Sequence, residues 1–190
     1  MRRLAYLALR IRGFTFEGRT PDVAKFIIVG APHTSNWDFI VFLATVHHFR
    51  IRAGFLGKHS MFRWPFGGLM RRLGGIPVRR DRPGSLAHDV ATAFNETDRM
   101  AVVMAPEGTR SGADWWKSGF YRIALEADVP IVPALVDLQG RRLVLGPAIP
   151  MTGSPGNDMD QIRAFYAEGG APAERLRAIR VHEEQADGDA

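Results

Sequence analysis

The sequence predicts an α/β fold, a single domain with a mostly parallel sheet flanked by helices. Three observations predict it. From Val23 onward, short apolar runs rich in Val and Ile alternate with longer amphipathic segments. Strands separated by helical patterns of that length imply βαβ crossovers and a sheet covered on both faces. A chain of 190 residues, 46% hydrophobic and 24% charged, has enough apolar material for one sizeable core. Finally, no internal repeat, low-complexity segment or linker rich in Gly, Pro or Ser divides the chain.

The elements follow in order. Leu4, Leu7, Ala8, Ile11 and Phe14 recur at helical spacing, with Arg3 and Arg10 on the other side. This basic amphipathic helix can lie on a membrane surface or dock on the core. Residues 1–18 are therefore set apart as an amphipathic segment, 19–180 as the domain proper and 181–190 as a frayed acidic tail. Val23–Gly30 reads as a buried strand, being short, rich in β-branched residues and closed by Gly. Asn36–Arg50 reads as a helix with an apolar face, Gly54–Gly57 as a weak strand and Phe62–Leu73 as a helix. Ile76–Arg79 is a strand, Ser85–Glu96 a helix and Met100–Ala105 a strand. Tyr121–Ala127, Ile131–Val136, Leu143–Leu145 and Met159–Glu168 complete the pattern as helix, strand, strand and helix.

Composition narrows the function. The absence of Cys excludes a disulfide scaffold, a Cys-ligated zinc site and a thiol nucleophile, and suits a reducing cytosol. Aromatic content of 10% and the lack of a Gly period exclude disorder and collagen-like repeats. A net charge of +5 makes an acidic partner plausible: nucleic acid, anionic lipid or a phosphorylated small substrate. Between Arg50 and Arg82 there are nine Arg or Lys residues and one acid, Asp81. No stretch approaches the roughly 20 apolar residues of a membrane span, and the run Leu4–Leu9 is too short for a signal-peptide core.

Ligands of open α/β sheets bind beyond the carboxyl ends of the strands. Three segments occupy such positions: PHTSNWD after the first predicted strand, RRDR after the third and PEGTRS after the fourth. His33 and Asp38 are five residues apart, so on one helix they would point about 140° apart and never meet. They meet if His33 lies in the loop and the helix starts after it. Ser35 is a good N-cap and opens a Ser-x-x-Asp capping pattern ending at Asp38. His33 folded back on Asp38 is the base-plus-orienter pair of general-base catalysis. The plain alternative is that Asp38 caps its own helix and His33 is satisfied by a backbone carbonyl. His47, His48 and His59 lack ligand spacing with carboxylates, so no metal is expected. There is no G-x-S-x-G elbow to supply a serine nucleophile.

In PEGTRS, Gly108 permits a tight turn and Arg110 can grip phosphate oxygens, while Glu107 must pair with an Arg or bind a ligand hydroxyl. A solvated turn explains the same residues. Arg outnumbers Lys 22 to 3, which weakens the case from any single Arg. Neither a Walker pattern nor G-x-G-x-x-G occurs, so nucleotide binding of those kinds is not expected. Two aromatic and basic clusters, Met61–Phe66 and Trp115–Lys117, suit core packing, or else an acyl-chain groove or interfacial contact.

Together the motifs resemble the glycerolipid acyltransferase family that includes the 1-acylglycerol-3-phosphate acyltransferases. HTSNWD is similar to its H-x4-D motif, GGIPVRR (Gly74–Arg80) to its second motif, PEGTRS to its third and VPIVPA (Val129–Ala134) to its fourth. The resemblance runs from about Lys25 to Pro150. It implies transfer of a fatty acyl group from acyl-CoA or acyl-carrier protein to a lysolipid hydroxyl, on that family's α/β fold. It also implies that His33 is the general base and Asp38 its partner. The expected substrate-binding set is Ser35, Lys58, Arg79, Arg80, Glu107, Gly108, Thr109 and Arg110. Lysophosphatidate is the favoured acceptor, with another hydroxyl- or amine-bearing lipid as the alternative. Ala105 stands where the third motif often has an aromatic residue, and Arg79 where the second is often acidic.

The thioester donor is already activated, so no cofactor and no metal are expected. The expected partners are a membrane lipid surface, a lysolipid acceptor and acyl-CoA or acyl-carrier protein, with no nucleic acid. The expected location is cytoplasmic, peripheral on the inner face of the membrane. A thioesterase and a non-catalytic lipid-binding module on the same fold are the rival readings.

Overall fold

The computed structural model describes residues 1–33, 37–78, 85–108 and 115–180. In chain order these form α1 (Arg2–Ile11), β1 (Thr15–Gly18), β2 (Lys25–Ala31), α2 (Trp37–His48) and β3 (Ala53–Lys58). A 3-10 turn at His59–Phe62 leads to α3 (Gly67–Arg72), β4 (Gly75–Val78), α4 (Ser85–Asn95) and β5 (Met100–Met104). Then come α5 (Gly119–Glu126), β6 (Ile131–Asp137), β7 (Arg142–Leu145), α6 (Pro155–Glu168) and α7 (Ala173–Ala178). The seven strands make one sheet in the order β1-β7-β6-β2-β5-β3-β4. Every pairing is parallel except β6 with β7, so the predicted fold class is observed.

The reason lies in β2, whose residues are apolar on both sides. Ile27, Val29 and Ala31 belong to one core, with Val90 and Phe94 of α4, Phe120 and Ile123 of α5, and Ile162 and Tyr166 of α6. Phe26 and Ile28 belong to the other, with Ala5 and Leu9 of α1 and Val41, Leu43 and Ala44 of α2. A strand with helices on both faces reads as a continuous apolar run. Each fully buried Ile, Val or Phe contributes about 1.5–3 kcal/mol relative to exposure. Two buried polar links add direction to this packing. The Tyr166 hydroxyl donates to the Val29 carbonyl at 2.7 Å, tying α6 to β2. Asp158, fully buried, accepts from the Tyr121 hydroxyl at 2.8 Å and from the Thr152 backbone and hydroxyl at 2.9 and 2.8 Å.

Three expectations change. The first concerns the amino-terminal segment. Its helix ends at Ile11, and Thr15–Gly18 form β1, an edge strand paired with β7 inside the sheet rather than part of a separate 1–18 unit. The stripe Leu4, Leu7 and Ile11 faces outward, while Ala5, Leu9 and Phe14 are buried. Small Ala5 lets α1 lie close on α2, which leaves the bulkier apolar side in solvent. Second, the predicted helix Phe62–Leu73 is interrupted: Trp64 and Pro65 separate the 3-10 turn from α3. The Phe62 ring is the anchor there. Cβ atoms added at Gly57 and Gly75 would lie 2.8 and 2.7 Å from it, so only glycines leave it room. Third, the predicted pattern ends at Glu168, whereas the structure adds α7. The Arg163 guanidinium fixes it by donating to the carbonyls of Leu176 and Ile179.

Candidate active site

β2 delivers the chain to His33 through a cis Ala31–Pro32 bond. α2 starts at Trp37, which puts Asp38 in its first turn. This is the loop-then-helix arrangement that allows the two side chains to meet, and they do. His33 Nδ1 lies 2.8 Å from Asp38 Oδ2, with the side chains 28% and 14% exposed. A carboxylate on Nδ1 fixes the imidazole tautomer, so that Nε2 becomes the basic nitrogen, and it stabilises the protonated ring. Asp38 also places negative charge at a helix start, where the macrodipole favours it.

β5 lies beside β2 and ends in the turn carrying Glu107 and Gly108. Glu107 Oε2 accepts the His33 backbone N–H at 3.0 Å, which staples the two loops together. Burial raises the Glu107 carboxyl above its ordinary range, against the lowering effects of the His33 N–H and the charge of Arg175. Gly108 has φ +64, a backbone conformation that favours glycine, and the end of the Lys117 side chain passes over it. Its N–H closes the turn on the Ala105 carbonyl at 3.3 Å.

These groups open into a cavity of about 750 Å³ at the carboxyl end of the sheet. His33 and Glu107 line one side, the β6–β7 turn another, and Tyr166, Arg175 and Ile179 of the α6–α7 region a third. That volume is ordinary for a small-molecule site. Among the described residues no three His, Asp or Glu side chains converge as a metal-holding group.

Of the expected substrate-binding residues, Glu107 lines the cavity beside His33, and Gly108 shapes the adjoining turn. Ser35, Arg79, Arg80, Thr109 and Arg110 lie outside the described residues, and for Lys58, the last residue of β3, only the backbone is described. The aromatic clusters divide: Phe62 and Trp116 are buried, whereas Met61, Trp64, Phe66 and Trp115 are exposed. Two basic residues near the site escaped sequence reasoning. Lys117 packs over Gly108, and Arg175 lines the cavity, where its charge acts on the Glu107 carboxyl. Lys117 was legible only as part of an aromatic cluster. Arg175 carries no local signal, because only the return of α7 onto the sheet brings it there.

Residues 14–137 match the acyltransferase family model. The 1-acyl-sn-glycerol-3-phosphate acyltransferase of Haemophilus influenzae is 29% identical over 134 residues, covering 65% of this chain and 54% of that protein. Its Salmonella typhimurium counterpart is 30% identical over 133 residues, covering 65% and 53%. The chain thus spans about half the length of these curated relatives. The crystal structure of the 1-acyl-sn-glycerophosphate acyltransferase of Thermotoga maritima aligns with a TM-score of 0.58 at 17% identity, covering 90% of this chain and 78% of that one. That is a likeness of fold. With the family model matching well over half its residues, from β1's approach through β6, the chain belongs to the acyltransferase family.

Proposed function

We propose that this protein transfers a fatty acyl group from acyl-CoA or acyl-carrier protein to the hydroxyl of a lysolipid, with lysophosphatidate the favoured acceptor. The observation that carries the reading is the 2.8 Å contact between His33 Nδ1 and Asp38 Oδ2 at the wall of a ligand-sized cavity. In the proposed step the acceptor oxygen attacks the thioester carbonyl carbon while His33 Nε2 takes its proton. The C–S bond then breaks and the thiolate leaves, receiving that proton from the imidazolium. General-base assistance of this kind contributes about 10²–10⁴ in rate. The donor is an activated thioester, so the step as written uses no cofactor and no metal. Glu107 is suited to a ligand hydroxyl. Arg79, Arg80, Arg110 and Lys58 are assigned to phosphate groups, and Ser35 and Thr109 to supporting hydrogen bonds. The basic Lys117 and Arg175 beside the site favour an anionic acceptor.

Supply of a lipid acceptor calls for contact with a bilayer. No helix among the described residues is long and apolar enough to cross one. The outward stripe of α1, with Leu4 69% and Ile11 86% exposed, supports peripheral attachment instead. Exposed Met61, Trp64 and Phe66 follow β3 at the carboxyl end of the sheet, the end that holds His33. Acyl-CoA and acyl-carrier protein are cytosolic, which favours the inner face.

The test is acyl transfer by purified protein on liposomes carrying a panel of lysolipids, with either donor, beside His33→Ala. A lipid product made by wild type and lost in the variant supports the reading. Thioester hydrolysis equally fast without acceptor identifies a thioesterase. Lipid binding without acyl transfer from either donor identifies a binding module.

A further inference from the structure

Besides the cavity at His33, the structure holds a second recess of about 650 Å³, between the end of α1, the start of α2 and the β6–β7 turn. β7 and β1 both begin where β6 ends, through the pairs Asp137–Arg142 and Thr15–Arg142, so this recess also opens at the carboxyl end of the sheet. Its charged lining residues are Arg12 and Arg141, and no acid lines it. Neither guanidinium has a carboxylate partner among the described residues. That of Arg12 lies 5.0 Å over the ring of Trp37, itself 50% exposed. That of Arg141 reaches across Gly13, where an added Cβ would be 3.4 Å from its Nη1. Arg141 sits at φ +55, a conformation that a non-glycine residue adopts at some cost, and this aims its side chain from the turn. The remaining wall is apolar, including Ile11 and Leu138. Ile11 continues the outward stripe of α1, and Leu138 also lines the His33 cavity.

We propose that this recess binds one anionic phospholipid of the bilayer, apart from the acyl acceptor. Its phosphate lies between Arg12 and Arg141, and its glycerol and first acyl carbons lie against Ile11, Trp37 and Leu138. Guanidinium forks match phosphate oxygens bidentately, and an apolar floor suits the carbons that follow. The volume accommodates a headgroup with the start of its chains. The proposal builds on the interfacial placement of α1 and is independent of acyl transfer.

The experiment is vesicle flotation with phosphatidylcholine vesicles and with vesicles containing phosphatidylglycerol, for wild type, Arg12→Gln/Arg141→Gln and Arg3→Gln/Arg19→Gln. The last pair removes the same charge from exposed positions outside the recess. Diffuse attraction to an anionic surface acts alike on either pair, whereas a direct charge-assisted guanidinium–phosphate contact adds a factor of about ten per side chain, so the recess pair accounts for about 100-fold. The expected result is that preference for the anionic vesicles falls by about that factor in Arg12→Gln/Arg141→Gln and by much less in the control pair, with both variants folded by circular dichroism. Equal losses in the two variants would mean diffuse attraction and overturn the site. Inorganic phosphate displacing the protein from anionic vesicles at matched ionic strength would make free phosphate the occupant and overturn it equally. Wild type bound alike to both vesicle types would sink this proposal and leave the placement of α1 standing. Leu4→Ser/Leu7→Ser, which does not touch the recess, tests that placement separately: if it fails to weaken binding to either vesicle, the placement is wrong.

Discussion

If His33 and Asp38 act as one unit, removing both costs no more than removing the base alone. In Asp38→Asn the 2.8 Å contact becomes a neutral hydrogen bond. Charge-assisted bonds contribute about 1.5–3 kcal/mol and neutral ones about 1 kcal/mol. The imidazolium is then less stable by about 0.5–2 kcal/mol, or about 2- to 30-fold in rate. A further loss comes from the tautomer. An amide NH₂ presented to Nδ1 moves the ring proton to Nε2, and the loss then approaches the full general-base contribution of about 10²–10⁴. His33→Ala removes that contribution outright. The double variant should match His33→Ala within a factor of about three, because a carboxylate has no imidazole left to orient. The assay is thiol release from acyl-CoA in the presence of lysolipid, each variant checked by circular dichroism. Losses that multiply in the double variant would refute the pairing as a functional unit and leave Asp38 as a helix cap.

The other predictions concern pH and packing. Burial raises the Glu107 pKa, so the folded state holds its proton more tightly than the unfolded chain does. The stabilising proton is present at low pH and is lost as pH rises through the folded value. Glu107→Gln should therefore melt higher than wild type at pH 7.5, with the gap closing below pH 4.5, while acyl transfer falls; a gap independent of pH would contradict this. Tyr121→Phe deletes one of three donors to the buried Asp158 carboxylate and should cost about 1.5–3 kcal/mol by urea denaturation. An unchanged urea midpoint would show that the Asp158 network does not hold the protein together. Gly57→Ala places a methyl 2.8 Å from the Phe62 ring and should cost about 1–3 kcal/mol. The same substitution in a Phe62→Leu background should cost much less; an undiminished cost there would mean the ring is not what Gly57 accommodates.

What the sequence made legible follows physical rules. β2 was readable because both faces are apolar, and the motif segments were placed because strands of a parallel sheet end on one side. The His33–Asp38 spacing left two geometries open, and only the start of α2 at Trp37 decides between them. β1 was missed because TFEG is short, and Glu17 pairs across the sheet with Arg142 in place of an apolar contact. For α1, periodicity revealed the stripe but not its direction, since a helix can dock through small residues and turn its larger ones outward. The α6–α7 wall of the cavity was invisible because α7 is one short polar turn-and-a-half whose placement depends on carbonyls accepting from Arg163.

The staple between Glu107 and residue 33 uses a main-chain donor. Any residue except proline at position 33 presents the same N–H, so the loop keeps its anchor whatever side chain it carries. Chemistry and scaffold are therefore separable here. A descendant that lost its imidazole would inherit the intact pocket, and a fold built this way has an open route from catalyst to carrier.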